Sequence, residues 1–273
     1  ELEEFTSKVT EHRKLPNDLI KILKSLPKET KPMDVLQMAV SSLGTFYNLE
    51  VSPEKVKGKK YNKDYFMNTS AALIGSLGSV VAAWHRIRND KEPITSNQDS
   101  TYAENFLLML GAENITPLMT RIMDATLVLH GEHTINASTF TAMVTSSTLA
   151  NASQVVASAI GSLSGPLHGG ANEKVVSMLS KIDSKDDIRP WLDDTLKAKN
   201  VVWGMGHREY SVKDPRANIL TEMVQELFNE REGGVTDIFE KAIELEKACE
   251  DKLAHKGVYP CLLYTSPSPR DPI

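Results

Sequence analysis

Residues 68–88 read NTSAALIGSLGSVVAAWHRIR, and the reading of this stretch decides the fold. It is unusually rich in alanine, glycine and serine for its length. Small side chains let neighbouring helices approach on both sides, so the stretch reads as a central, largely buried helix. Working outward, PMDVLQMAVSSLG (32–44) places Val35, Met38, Ala39 and Leu43 on one stripe, with Gly44 as its expected C-cap. STYAENFLLMLG (100–111) offers Ser100 as N-cap, with Glu104 in the first turns. DPRANILTEMVQELFNERE (214–232) opens with Asp214 as cap and Pro215 at the first helical position. TDIFEKAIELEKACEDKLAHKG (236–257) closes with Lys, His and Gly, as helix C-termini prefer. Strand-like alternation is scarce and there is no internal repeat. The fold class expected is all-α.

Bulk properties narrow the function classes. A chain of 273 residues holds one large domain or two unequal ones. With 41% hydrophobic and 25% charged residues its composition is that of a globular protein. A net charge of -5 argues against a nucleic-acid partner, which calls for a basic excess on one face. No unbroken apolar run approaches the roughly 18 residues of a membrane span, so no membrane partner is expected. Cys249 and Cys261 fit a reducing compartment better than a disulfide framework. Residue 1 is Glu and no signal peptide is visible, so the start of the protein is expected to lie upstream. A cytosolic-type enzyme is the leading class, with a helical scaffold as its rival.

Two stretches break the helical rhythm: GSLSGPLHGGANEKV (161–175) and VVWGMGHREYSVKDPRA (201–217). Each sets a histidine in a Gly- or Pro-containing turn just before a helix. Free N–H groups and the positive dipole end favour anions at such a terminus, and a loop histidine beside it can donate to a substrate carbonyl. His168 and His207 are therefore candidate catalytic residues, the alternative for His168 being a helix cap. Arg216, nine residues after His207, is placed to meet a carboxylate, the alternative being a solvated arginine. LHGEHTINAS (129–138) puts His130 and His133 on one face if it is helical, and Asn136 reads as a cap. The order His-x-Glu-His matches no zinc-protease pattern, and neither cysteine has structural-zinc spacing, so no metal is expected. His85 reads as a core or helix-end residue, and His12 and His255 as solvated. The triplets at Asn68 and Asn114 are not taken as glycosylation sites without a secretory signal.

Taken together, GPLHGGANEKV and GMGHREYSVKDPRA resemble the active-site segments of the citrate synthase family, which includes the 2-methylcitrate synthases. KPMDVLQMAVSSLG, YAENFLLML and LHGEHTINASTF match in the family's order; Lys31 stands where the family often has histidine. The resemblance implies an all-α fold with a large helical domain, 1–165 here, and a smaller one, 166–260, that closes over the substrates. It implies a homodimer that condenses acetyl-CoA with oxaloacetate and then hydrolyses the thioester. Coenzyme A would enter only as part of the substrate, with no further cofactor. Localisation would be cytoplasmic, or the mitochondrial matrix in a eukaryote.

In that family an aspartate takes a methyl proton from acetyl-CoA. The residue matching His168 hydrogen-bonds the thioester oxygen, and the one matching His207 supports the oxaloacetate carbonyl. His133 and Arg216 match positions that bind oxaloacetate. These roles suit the chemistry, because a carboxylate base removes so weakly acidic a proton only if the enolate oxygen is stabilised as it forms. Where the family has YPNVDFYSG, this chain has YPCLLYTSP, so Leu263 stands at the aspartate position. CLLYTSPSPRD (261–271) is also similar to the translation of a common sequencing-library adapter. The expectation is an internal fragment whose residues 261–273 are a non-native tail, inactive as written. Alternatives are a propionyl-CoA-using 2-methylcitrate synthase and a non-catalytic helical homologue that binds CoA or a partner.

Overall fold

The computed structural model describes residues 1–49, 63–131, 135–206, 213–230 and 236–259. Among these, regular structure is helical apart from an isolated bridge residue at Met205. The helices are α1 (Leu2–Glu11), α2 (Asn17–Ser25), α3 (Pro32–Phe46), α4 (Lys63–Arg88), α5 (Tyr102–Leu110), α6 (Pro117–Leu129), α7 (Ala137–Ser147) and α8 (Ala152–Leu163). They continue as α9 (Gly170–Leu179), α10 (Ile188–Lys197), α11 (Pro215–Glu230) and α12 (Asp237–Leu253), with short 3-10 turns at Lys185–Asp187 and Ala254–Lys256. The chain divides into two compact units, Glu1–Asp124 with Ala137–Ser164, and Ala125–Asn136 with the described part of Gly165–Ile273.

The first unit is built on α4, as its small side chains suggest. Ala71, Ala72, Gly75, Ser76, Ser79, Ala82 and Ala83 are all buried. A Cβ added at Gly75 would lie 2.4 Å from the carbonyl oxygen of Val9, so only glycine admits α1 here. The serines then satisfy the open end of α1, whose last carbonyls have no intrahelical donor. Ser76 Oγ donates to the His12 carbonyl at 3.1 Å and Ser79 Oγ to the Arg13 carbonyl at 2.6 Å. By length and composition α4 would pass for a membrane span, but just over half of its most apolar stretch, 56%, is buried within the fold. Leu73, Val80, Ala83, Trp84 and Ile87 join Leu19, Leu23, Val35, Ala39, Val40 and Leu43 in one cluster.

Three local expectations are corrected. Gly44 does not end α3; the helix runs to Phe46, and an added Cβ at Gly44 would fall 2.2 Å from Ser153 Oγ on α8. The glycine serves helix-to-helix contact, a need that looks the same in sequence as a C-cap. The N-cap of α5 is Thr101 rather than Ser100: Thr101 accepts from the Glu104 N–H at 3.3 Å, while the Ser100 carbonyl accepts from Arg13 Nη1 at 2.7 Å. His12 is not solvated but half-buried, its ring edge-on to Tyr47 with centroids 5.0 Å apart and Nδ1 2.8 Å from the Lys8 carbonyl oxygen. His85 is exposed in the last turn of α4.

The second unit gathers α9, α10 and α12 around Val175, Leu179, Ile188, Leu192, Leu245 and Cys249. Val202 and Met205 join this core from the loop that precedes His207, so the loop has a fixed base. Arg189 bridges Glu244 at 2.7 Å and Asp251 at 2.9 Å across α10 and α12; exposed pairs of this kind contribute about 0–1 kcal/mol each.

Candidate active site

The His168 loop is a chain of tight turns running into α9. The His168 N–H and the Gly170 N–H both donate to the Gly165 carbonyl, at 2.9 and 3.0 Å. The Ala171 N–H donates to the His168 carbonyl at 3.0 Å, and the Asn172 N–H to that of Gly169 at 3.3 Å. These amides at the start of α9 are thus engaged by the preceding turn. The anion-receptive helix start expected from the sequence is corrected on this point: what the turn presents is the histidine, not those N–H groups. His168 is 4% exposed, so its ring sits in a low-dielectric setting where a hydrogen bond to developing charge is worth more than in water.

The second loop reaches His207 through two left-handed glycines, Gly204 at φ +87° and Gly206 at φ +75°. An L-residue at either position would be strained, so the Gly-Met-Gly spelling is set by backbone geometry. Met205 points into the second core, and the Gly206 N–H donates to the Tyr259 carbonyl at 2.8 Å. A Cβ at Gly206 would meet Val258 Cγ1 at 3.4 Å. The residue before His207 is therefore clamped to the segment that leads towards position 263. His207 itself, His133 and Leu263 lie outside the described residues, as does the expected tail. His130 follows the end of α6, with its ring Nδ1 against the Thr126 carbonyl.

Arg216 stands in the first turn of α11, where Asp214 and Pro215 start the helix as expected. Its side chain does not extend into solvent. Asp214, 1% exposed, accepts from the Arg216 backbone N–H at 2.9 Å. It also accepts from Nε at 3.0 and 3.2 Å and from Nη2 at 2.7 Å. The solvated-arginine alternative is set aside by this fork. In the sequence Asp214 reads only as a helix cap; its second role, holding the guanidinium, emerges from the structure, although an Asp-Pro-Arg start already puts a carboxylate within reach. Lys213, next to this pair, is bonded to the nearly buried Glu246 on α12. Cys249 contributes no nucleophile: it is fully buried, and burial pushes its thiol up to about 12.

The second unit thus holds a buried histidine in a rigid turn, a clamped glycine loop entering another histidine, and an arginine fixed by a buried carboxylate. Such parts suit polarisation of a carbonyl and recognition of a carboxylate. The chain is similar over nearly its whole length to known proteins. The family described as citrate synthase, C-terminal domain, matches residues 1–267. A citrate synthase of Synechocystis sp. is 41% identical over 260 residues, covering 95% of this chain and 63% of its own length. A citrate/2-methylcitrate synthase of Bacillus subtilis is 35% identical over 268 residues, covering 97% and 68%. A solved citrate synthase of Thermoplasma acidophilum, in ternary complex with carboxymethyl coenzyme A and oxaloacetate, superimposes with a TM-score of 0.82 at 26% identity, covering 97% of this chain and 67% of that one. The chain spans 63% and 66% of the first curated relatives it matches, under two thirds of each. A match that begins at the first residue and runs nearly the whole chain, on an all-helical fold shared with solved members, makes this chain a member of the citrate synthase family.

Proposed function

We propose that the site serves a citrate synthase-type condensation, joining acetyl-CoA to oxaloacetate and releasing citrate and coenzyme A after thioester hydrolysis. A carboxylate removes a methyl proton, and the enol carbon attacks the oxaloacetate ketone. His168 donates to the thioester oxygen as negative charge gathers there, and His207 donates to the ketone oxygen as it becomes an alkoxide. His133 and Arg216 hold the dicarboxylate, with Asp214 fixing the guanidinium so that its Nη1–Nη2 edge is the one that meets the substrate. The observation that carries this reading is the clamp between Gly206 and Tyr259, which ties the base of the His207 loop to the chain leading to the aspartate position. The relatives' names and the ternary complex of the solved neighbour support the substrate pair.

Leucine at 263 has no proton-accepting group, so the chain as written is proposed to lack the base and to turn over at least about a hundredfold more slowly than a form with aspartate there. A homodimer is proposed on the exposed apolar side chains of α7, Phe140, Met143 and Val144, which a second copy would cover. The name of the Bacillus subtilis relative supports a second reading, propionyl-CoA as acyl donor. Turnover of acetyl-CoA against propionyl-CoA, measured with aspartate at 263, separates the two. Loss of activity in His168→Ala with an unchanged fold supports the assignment; full activity in that variant removes it.

A further inference from the structure

Arg13 sits just beyond α1 in the first unit and is 3% exposed. Its Nη1 donates to the carbonyls of Ser100 at 2.7 Å and Asn97 at 3.5 Å, and its guanidinium carbon lies 5.6 Å from the centre of the Tyr102 ring. Among the described residues no carboxylate pairs with it, and its buried Nε has no acceptor. Burial pulls its affinity for a proton down, yet a guanidinium stays charged. A cation taken out of water without a counter-charge is costly, and so is a buried donor without an acceptor.

Arg13 lines a cavity of about 180 Å³, together with Lys14, Asn17, Glu92, Thr95 and Ser96. One water needs roughly 10–15 Å³ and drug-sized ligands roughly 300 Å³ or more, so this cavity suits a small, compact occupant. Its one lining carboxylate, Glu92, is engaged by Lys24 at 2.6 Å and does not neutralise Arg13. Two cations therefore line the cavity beside an acid that is already paired, with hydroxyl and amide groups around them.

We propose that this cavity binds a small oxyanion, phosphate- to tricarboxylate-sized, which pairs with the Arg13 guanidinium and is held by Lys14. The site is built wholly from the first unit, whereas His168 and Arg216 belong to the second, so it is distinct from the proposed catalytic groups. It stands whether or not the condensation reading holds.

The test is thermal unfolding of the intact chain in phosphate, pyrophosphate or tricarballylate against chloride at equal ionic strength. The expected result is a saturable rise in Tm with at least one of these anions beyond that in chloride. Pyrophosphate ahead of tricarballylate marks a phosphate-type ligand, and the reverse a carboxylate-type one. Arg13→Lys keeps the charge but loses the fork, and should raise the half-saturation concentration at least about tenfold. Lys14→Gln, at an exposed position, should raise it by about threefold to fivefold, the worth of one exposed charge. Arg216→Gln should leave it unchanged. If Arg13→Lys fails to fold, Lys14→Gln and Asn17→Ala carry the test. No anion-specific rise, or a rise untouched by the cavity variants and abolished by Arg216→Gln, overturns the proposal.

Discussion

Replacing Asp214 by alanine removes the cap of α11 and the counter-charge of Arg216 in one step. The structure sets the scale. Asp214 is 1% exposed and the Arg216 side chain 13%, so the cation left behind regains little water. Loss of a capping side chain costs about 0.5–2 kcal/mol. Removing one partner of a buried pair costs about 3–5 kcal/mol, and the partial exposure of Arg216 pulls this to the lower end. The two share the same carboxylate and do not add fully, so Asp214→Ala should destabilise the second unit by about 3–4 kcal/mol. Asp214→Asn keeps the cap's acceptor for the Arg216 N–H but not the charge, and should cost less than Asp214→Ala by about the 0.5–2 kcal/mol of the cap. The decisive variant is Asp214→Ala combined with Arg216→Met. With no charge left to bury, the double variant should be more stable than Asp214→Ala alone by about 1–2 kcal/mol. Hydrogen exchange of the α11 amides, residues 215–230, reads this unit directly, alongside denaturant unfolding followed by Trp191 and Trp203. If Asp214→Ala protects α11 as well as the parent does, or if the double variant is the least stable of the set, the argument that Asp214 holds a buried charge is wrong.

Other perturbations test the packing and the loops. Gly206→Ala puts an L-residue at φ +75° against Val258, and should cost about 1–2 kcal/mol and loosen the bond to Tyr259, seen as faster exchange of the residue 206 amide. Gly44→Ala drives a methyl to within 2.2 Å of Ser153 Oγ, and should cost about 1–3 kcal/mol in denaturant unfolding, with partial recovery when Ser153 becomes glycine. Cys249 has its thiol raised from 9.0 to about 12 by burial. The protonated form is favoured in the fold, so this contribution is complete below pH 9 and is lost as pH rises towards 12. At 1.36 kcal/mol per unit that is about 4 kcal/mol in all, and Cys249→Ala should flatten the alkaline limb of the stability curve. Tyr47 and Tyr102, also raised by burial, act in the same direction in the first unit and should keep their share in that variant.

Much of the fold was legible because it is written in local signals. The Ala/Gly/Ser content of 68–88 announces a helix approached by neighbours, and Gly75 against Val9 and Ser79 against the Arg13 carbonyl are that approach in atoms. Asp214-Pro215 announces the start of α11 because proline tolerates only that place in a helix. What was not legible depends on partners distant in sequence. Gly44 carries the same letter whether it ends a helix or admits Ser153, 109 residues away, and only the contact distinguishes them. Ser100 and Thr101 are both competent caps; the choice follows from Arg13 taking the Ser100 carbonyl. At the site, the two histidine loops stand out by glycine and proline placement, whereas the fork between Asp214 and Arg216 requires the backbone geometry of the turn. The occupied amides at the head of α9 were likewise hidden, because sequence shows where a helix begins but not which carbonyls the preceding turn supplies.

The histidine loops of this chain are proposed to serve a condensation whose base belongs at position 263. The direct measurement is oxaloacetate-dependent release of thiol from acetyl-CoA, comparing the chain as written with a form whose residues from 261 on are the family's own segment, aspartate at 263 included. The expected result is turnover in the second form, lost on His168→Ala, and a rate at least about a hundredfold lower in the chain as written. Equal rates in the two forms, or no turnover in a correctly folded second form with either acetyl-CoA or propionyl-CoA, would contradict it.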